Sequence, residues 1–274
     1  MSARAHRLPL VFALLLALPL AACGGAEGRQ ARALERGEAF LAEGNLEKAR
    51  VEFRNALQIT PDDAGVRYRN GVVEERMENF REAAQFYQGA IDIAPGHAEA
   101  RAALGRLLVL GGVPERALEL VAPALAERPD DAALVAVRAA ARVRTGDVAG
   151  AMTDAEHAVR LDPRSENAIA ILAGLYNRAG RVDDARRLLE EGTARLPGSV
   201  DLRLALAQLH LAGGDLARAG ELLRAVVALD AGDRVHRIRL AQYHVQVGEL
   251  DVAERVLREG IAALPRDHEL KLAL

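Results

Sequence analysis

Cys23 is the only cysteine among 274 residues, and it directly follows Leu20-Ala21-Ala22. A lone thiol in an exported chain is a reactive liability unless it is modified. The position of this one, behind an apolar run and two small residues, makes modification of the sulfur the chemistry to expect. Two histidines, His210 and His244, stand 34 residues apart. Stacked elements could bring them together as metal ligands, but no cysteine or carboxylate in the pattern completes a ligand set, so they read as packing residues. The sequence holds no phosphate-cradling glycine loop, no nucleophile elbow and no HExxH. No catalytic residue, cofactor or metal is therefore assigned.

The elements that would deliver Cys23 are those of an export signal. Arg4, His6 and Arg7 form a basic start, and Leu8 to Leu20 an apolar stretch of signal-peptide length. That stretch is short for a membrane-spanning helix, which needs about 20 apolar residues. Leu20-Ala21-Ala22-Cys23 resembles the lipobox of bacterial lipoproteins. The resemblance implies diacylglyceryl transfer to the Cys23 thiol, cleavage between Ala22 and Cys23, and acylation of the new amine. Gly24 follows the cysteine where an aspartate would favour inner-membrane retention, so in a Gram-negative host the resemblance implies the periplasmic face of the outer membrane. Each buried CH₂ contributes about 0.8 kcal/mol, so several acyl chains anchor firmly. Residues 1–22 read as the signal and 23–29 as the lipidated cysteine with a short linker. Extended, the six residues after the cysteine reach about 20 Å.

Beyond residue 29 the chain is periodic. Proline falls at 61, 95, 129, 163, 197 and 265, all on one 34-residue grid, with Ala231 at the missing point. Alanine occupies a second column at 49, 83, 117, 151, 185, 219 and 253. A third is always small: Gly37, Gly71, Gly105, Ala139, Ala173, Ala207 and Ala241. Glycine fills a fourth at 44, 112, 146, 180, 214 and 248, with Glu78 the exception. Each column has a physical role. Glycine after a run of helix formers closes a first helix in the left-handed conformation. Asn45, Asn79, Asp147 and Asp215 follow as N-caps of a second helix, and Pro114 suits its first turn. The grid proline ends the second helix. Asp63, Asp131, Ser165, Ser199, Asp233 and Asp267 then cap the next first helix. The small residues let the helices approach closely.

This pattern resembles the tetratricopeptide repeat, with its 34 residues, small residue at position 8, alanine at 20 and proline at 32. Seven units are implied: 30–63, 64–97, 98–131, 132–165, 166–199, 200–233 and 234–267. Residues 268–274 read as a cap or, as preferred here, the start of an eighth repeat in a longer protein. The implied fold is an all-α, right-handed solenoid. Phe40, Phe53 and Tyr87 keep the family's aromatic positions in the first two repeats. Val121, Ala155, Leu189, Leu223 and Leu257 replace an aromatic later, which predicts a thinner core of alanine and leucine.

In that family the first helices line a concave groove with positions 2, 5, 9, 12 and 13. Carried over, the partner-binding residues include Tyr68, Val72, Arg76, Arg106, Val109, Ala140 and Val143. Arg144, Asn167, Asn177, Arg178 and Gln208 continue the list. An apolar floor with spaced arginines suits an extended or helical peptide bearing carboxylates. Arg76, Arg144 and Arg178 also sit where a helix dipole favours a cation without any partner. After signal removal the chain carries 34 Lys+Arg against 39 Asp+Glu, with no basic stripe. That excludes nucleic acid as the natural partner and leaves attachment to membrane to the acyl chains. The expected function is a non-enzymatic, membrane-anchored interaction scaffold for exopolysaccharide or sorting-type export. Pilotin-like service to a pilus secretin, the targeting arm of a longer enzyme, and self-association through open array ends are the alternatives.

Overall fold

The computed structural model describes residues 18–274, with side chains from residue 25 onward. The basic start and most of the apolar stretch lie outside the described residues. So do the side chains of Ala22 and Cys23. Fifteen α-helices and no strand occur among the described residues. They alternate as first and second helices: α1 (Leu18–Ala42) with α2 (Leu46–Ile59), α3 (Ala64–Arg76) with α4 (Phe80–Ile93), and α5 (Ala98–Leu110) with α6 (Pro114–Glu127). The order continues with α7 (Ala132–Thr145), α8 (Val148–Leu161), α9 (Glu166–Arg178), α10 (Val182–Arg195), α11 (Val200–Ala212) and α12 (Leu216–Leu229). It closes with α13 (Arg234–Gln246), α14 (Leu250–Ala263) and α15 (His268–Ala273). The helices form two compact units, Met1–Ala124 and Leu125–Leu274. In each, helix pairs stack on their neighbours, the all-α solenoid expected from the grid.

Residues 24–29 correct the sequence reading. They are the continuation of α1, not an extended linker. At 1.5 Å rise per residue they cover about 9 Å, half the expected reach.

The fourth column behaves as its chemistry requires. All six of its glycines have positive φ, from 74° at Gly44 to 88° at Gly146. Glu78 adopts φ 62°, the only positive-φ non-glycine among the described residues. The turn therefore imposes the left-handed conformation even where the side chain opposes it. After it, the N–H of the second helix's N-cap residue reaches back to the closing first helix, as in Asn45 to the Phe40 carbonyl at 2.8 Å and Glu249 to the His244 carbonyl at 2.8 Å. Asn45, Asp147 and Asp215 accept N-cap bonds as expected. Asn79 does not: its amide donates to Glu74 Oε2 at 2.8 Å instead. His97, at the cap position before α5, accepts from the Ala100 N–H.

The Glu74–Asn79 bond belongs to a pair, at positions 11 and 16, that recurs in five of the seven repeats. Arg142 meets Asp147 at 3.3 Å in the fourth repeat. Arg181 lies 4.0 Å from the Tyr176 ring centroid in the fifth. His210 meets Asp215 at 3.1 Å in the sixth, and His244 meets Glu249 at 2.7 Å in the seventh. One geometry is thus held by four chemistries. Both histidines are buried, as their reading as packing residues implies, but each does have a carboxylate partner.

The two cores differ. In the first unit Phe53 and Tyr87 are almost fully buried. A Cβ on Gly37 or Gly71 would clash with the Phe53 or Tyr87 ring, respectively. In the second unit the small column is alanine and faces smaller residues: Ala139, Ala151 and Ala155 pack with Leu172 and Leu175, while Ala173, Ala185 and Leu189 pack with Leu202 and Leu206. Each unit also buries one carboxylate. Glu74 accepts from Arg54 Nη2 at 2.7 Å. Asp154 accepts a two-pronged bond from Arg138 (2.8 and 2.7 Å) and a third from Arg142 (2.7 Å).

Candidate protein-binding faces

Helix phase decides what each first helix shows. The column at position 8 and its neighbours face the second helix, so positions 5, 9, 12 and 13 turn toward the open side. On α1, α3 and α5 that side forms a cleft of about 580 Å³. Tyr68 and Val72 form its apolar part, with Glu38, Arg69 and Glu99 around them. The Tyr68 ring stacks obliquely on Tyr87 (5.7 Å between centroids) and His97 (5.2 Å). Burial raises the Tyr68 phenol above its ordinary range.

The cations of this face are already engaged. Arg69 pairs with Glu38 at 2.7 Å. Arg76 donates to the Leu41 carbonyl at 3.2 Å. Arg106 pairs with Glu75 at 2.6 Å, and the same carboxylate accepts from the Tyr87 hydroxyl at 2.6 Å. Burial first, and then the bond to Glu75, push the Tyr87 phenol upward. Arg106 is thus a member of an internal network. Val109, expected on the face, is 9% exposed and belongs to the core.

The second unit is built otherwise. Ala140 and Val143 are partly buried, and Val143 packs against the core of α7, α8 and α9. Arg144, Asn167, Asn177, Arg178 and Gln208 are all exposed, and no side chain among the described residues bonds theirs. Between α9 and α11 lies a cleft of about 480 Å³, floored by Ala173, Leu189 and Leu209 and edged by Asn177 and Gln208. A second, of about 240 Å³, opens between α11 and α13, where Leu211 and Tyr243 meet Gln208, Arg239, Gln242 and Gln246. Gln208 borders both. No carboxylate lines either. Gln242 and Gln246 occupy positions 9 and 13 of the seventh repeat, so extending the same register by one repeat finds them. Arg239, at position 6, lies off the register and carried no sequence signal.

One group of possible metal ligands occurs among the described residues. Asp230, Asp233 and His236 bring ligand atoms within 4.8 Å of one another. Asp233 is the N-cap of α13 and accepts from the Val235 N–H at 2.6 Å. The helix dipole there opposes a cation, and the geometry is that of a capped turn.

Stacked helix pairs with one face left open define a helical-repeat protein whose work is binding. Profiles of the tetratricopeptide repeat family match residues 34–98, 76–141, 143–209 and 188–237. The chain belongs to that family, whose members bind protein partners, and it is a protein–protein interaction scaffold. No curated protein matches it. Among solved structures, a thermophilic tetratricopeptide repeat protein of Thermus thermophilus is similar at 23% identity and TM-score 0.61, over 66% of this chain and 99% of that one. PilF of Pseudomonas aeruginosa is similar at 19% identity and TM-score 0.56, over 80% and 99%. PilW, a widely conserved type IV pilus biogenesis factor, is similar at 17% identity and TM-score 0.59, over 77% and 98%. At these identities the likeness is one of fold.

Proposed function

We propose that this scaffold is a lipoprotein of the bacterial envelope, anchored through Cys23 to the periplasmic face of the outer membrane, where it holds components of a surface-export assembly. The observation that carries the reading is the single thiol in Leu20-Ala21-Ala22-Cys23, immediately before the first repeat. No helix among the described residues is long and apolar enough to cross a membrane, so on this reading attachment rests on the acyl chains. Cleavage before Cys23 leaves α1 starting at the anchor. Six helical residues hold the first repeat within about 10 Å of the headgroups. The scaffold therefore works on partners at the membrane surface.

Feeding an alkyne fatty acid to a Gram-negative host that expresses the tagged full chain tests this. Expected are label on the protein, a mature N-terminus at Cys23 carrying acyl mass, and loss of both in Cys23→Ser. An unacylated chain, or a mature N-terminus elsewhere, overturns the reading. PilF and PilW motivate a second reading, pilus assembly, because their folds match over almost their whole length. Deleting the gene separates the two. Loss of secreted polysaccharide with pili intact favours the first, and loss of secretin multimers favours the second.

A further inference from the structure

The geometry points to a lipid-binding site on the back of the first unit. It is a cleft between α4, α5 and α6 that takes an anionic phospholipid, one acyl chain along its floor and the phosphate between Arg81 and Arg116. The choice of a membrane lipid rests on the proposed anchoring through Cys23, which keeps this unit beside the headgroups.

Helix phase sets the cleft apart from the open face. Arg101, Leu104 and Leu108 are spaced three and four residues apart and share one side of α5. Arg106, which is bonded to Glu75, projects from the opposite side. The cleft encloses about 680 Å³, within the range of small-molecule sites. Its floor is aliphatic: Ala84 and Ile91 from α4, Leu104 and Leu108 from α5, and Leu120 from α6. Ile91 and Leu104 are core residues, whereas Ala84, Leu108 and Leu120 stay partly exposed. The third repeat itself leaves this apolar surface open. Positions 11 and 16, which form a polar or charged closing pair in five other repeats, are here Leu108 and Val113.

Three arginines line the same cleft, against one carboxylate, Glu119. Arg101 is engaged within the chain, donating to the Pro95 carbonyl at 2.8 Å and the Leu120 carbonyl at 2.6 Å. Arg81 and Arg116 are exposed, and no acceptor among the described residues holds either. Both stand in the first turn of their helices, so they share one end of the cleft. A helix dipole disfavours a cation there, so neither gains from its place within the chain. Two guanidiniums, each able to donate a bidentate pair, match the free oxygens of a phosphodiester. From Arg81 to Ile91 the floor follows α4 for about 15 Å. That is half the roughly 30 Å of a bilayer's hydrocarbon core, the depth of one leaflet. One acyl chain therefore covers the floor when its phosphate sits at the arginine end. A free anion would meet the arginines and leave the leucines wet.

The test uses the acylated full chain in lipid–detergent micelles, with phosphatidylglycerol that carries a diazirine midway along one acyl chain. After irradiation the modified residues are mapped by mass spectrometry, beside a set made with phosphatidylcholine bearing the same label. Phosphatidylglycerol is expected to label Ala84, Leu104, Leu108 or Leu120 at least about fivefold more than phosphatidylcholine. Arg81→Ala with Arg116→Ala, both at exposed positions, should lower its yield to that of phosphatidylcholine. Leu108→Glu should remove labelling by both lipids. Circular dichroism checks that the helices of that variant persist, and if they do not, the arginine pair and the lipid comparison decide. Millimolar inorganic phosphate should lower the yield less than twofold. Equal labelling by the two lipids, an arginine pair without effect, displacement by phosphate, or no label in the cleft, as when a partner helix or a second copy covers it, overturns the proposal. Labelling in micelles needs no acyl anchor on the protein, so this proposal and the acylation reading fail separately.

Discussion

The two units solve the same packing problem with different residues, and the difference reaches their surfaces. The first fills the space between its helices with Phe53 and Tyr87, which requires glycine at 37 and 71. The Tyr87 hydroxyl emerges at the open face and binds Glu75, which in turn holds Arg106. A large core residue has thereby drawn the surface charges into an internal network. The second unit packs Ala139 and Ala173 against alanine and leucine. It sends no hydroxyl from that position to the face, and Arg144 and Arg178 stay unpaired. Core composition thus sets how much of a face is left for a partner.

Changes in the cores break this contrast most severely. Ala151→Arg forces a long cation between α7 and α8, where Ala151 is fully buried. It should destabilise the second unit by at least about 4 kcal/mol. Thermal denaturation followed by circular dichroism should show it as loss of part or all of the helical signal at ambient temperature. An unchanged melting curve would mean that the register is wrong. Gly71→Ala drives a methyl to 2.5 Å from the edge of the Tyr87 ring and should cost the first unit about 2 kcal/mol. Adding Tyr87→Leu, which copies the pairing of Ala173 with Leu189, should recover about half of that; a purely additive double mutant would refute the steric link. Glu78→Gly relieves the left-handed strain and should stabilise by about 1 kcal/mol in a urea titration. Glu78→Ala should not.

The smallest effect is one of pH. The Tyr87 phenol is raised above its unfolded value of 10.0. Its contribution is therefore complete below about pH 10 and is lost as pH rises beyond it. Urea midpoints taken between pH 9 and pH 11 should fall for the wild type, and fall less for Tyr87→Phe.

Much of this was legible in the sequence because proline, glycine and the N-cap residues act locally. The turn at Ala231-Gly232 formed without its proline because the flanking caps suffice. The failures share one cause, which is that side chains choose partners across helices. Asn79 had the right type for a cap, yet Glu74, five residues earlier, took its amide. Arg106 had the right register for a partner, but Glu75 from the neighbouring repeat neutralised it. His210 and His244 lacked visible partners because Asp215 was read only as a cap and Glu249 was given no role. Arg239 became visible once α11 and α13 were side by side. Residues 24–29, read as a linker, carry three glycines, yet the helix continues through them to Glu27 and Arg29.

The central claim is that the open face of the second unit, and not that of the first, receives a partner. The most direct test labels solubilised envelope proteins with a photoreactive diazirine, adds the full chain, irradiates the mixture, and maps the cross-links on the chain by mass spectrometry. The account predicts cross-links to α9, α11 and α13. Cross-links confined to α1, α3 and α5 would contradict it.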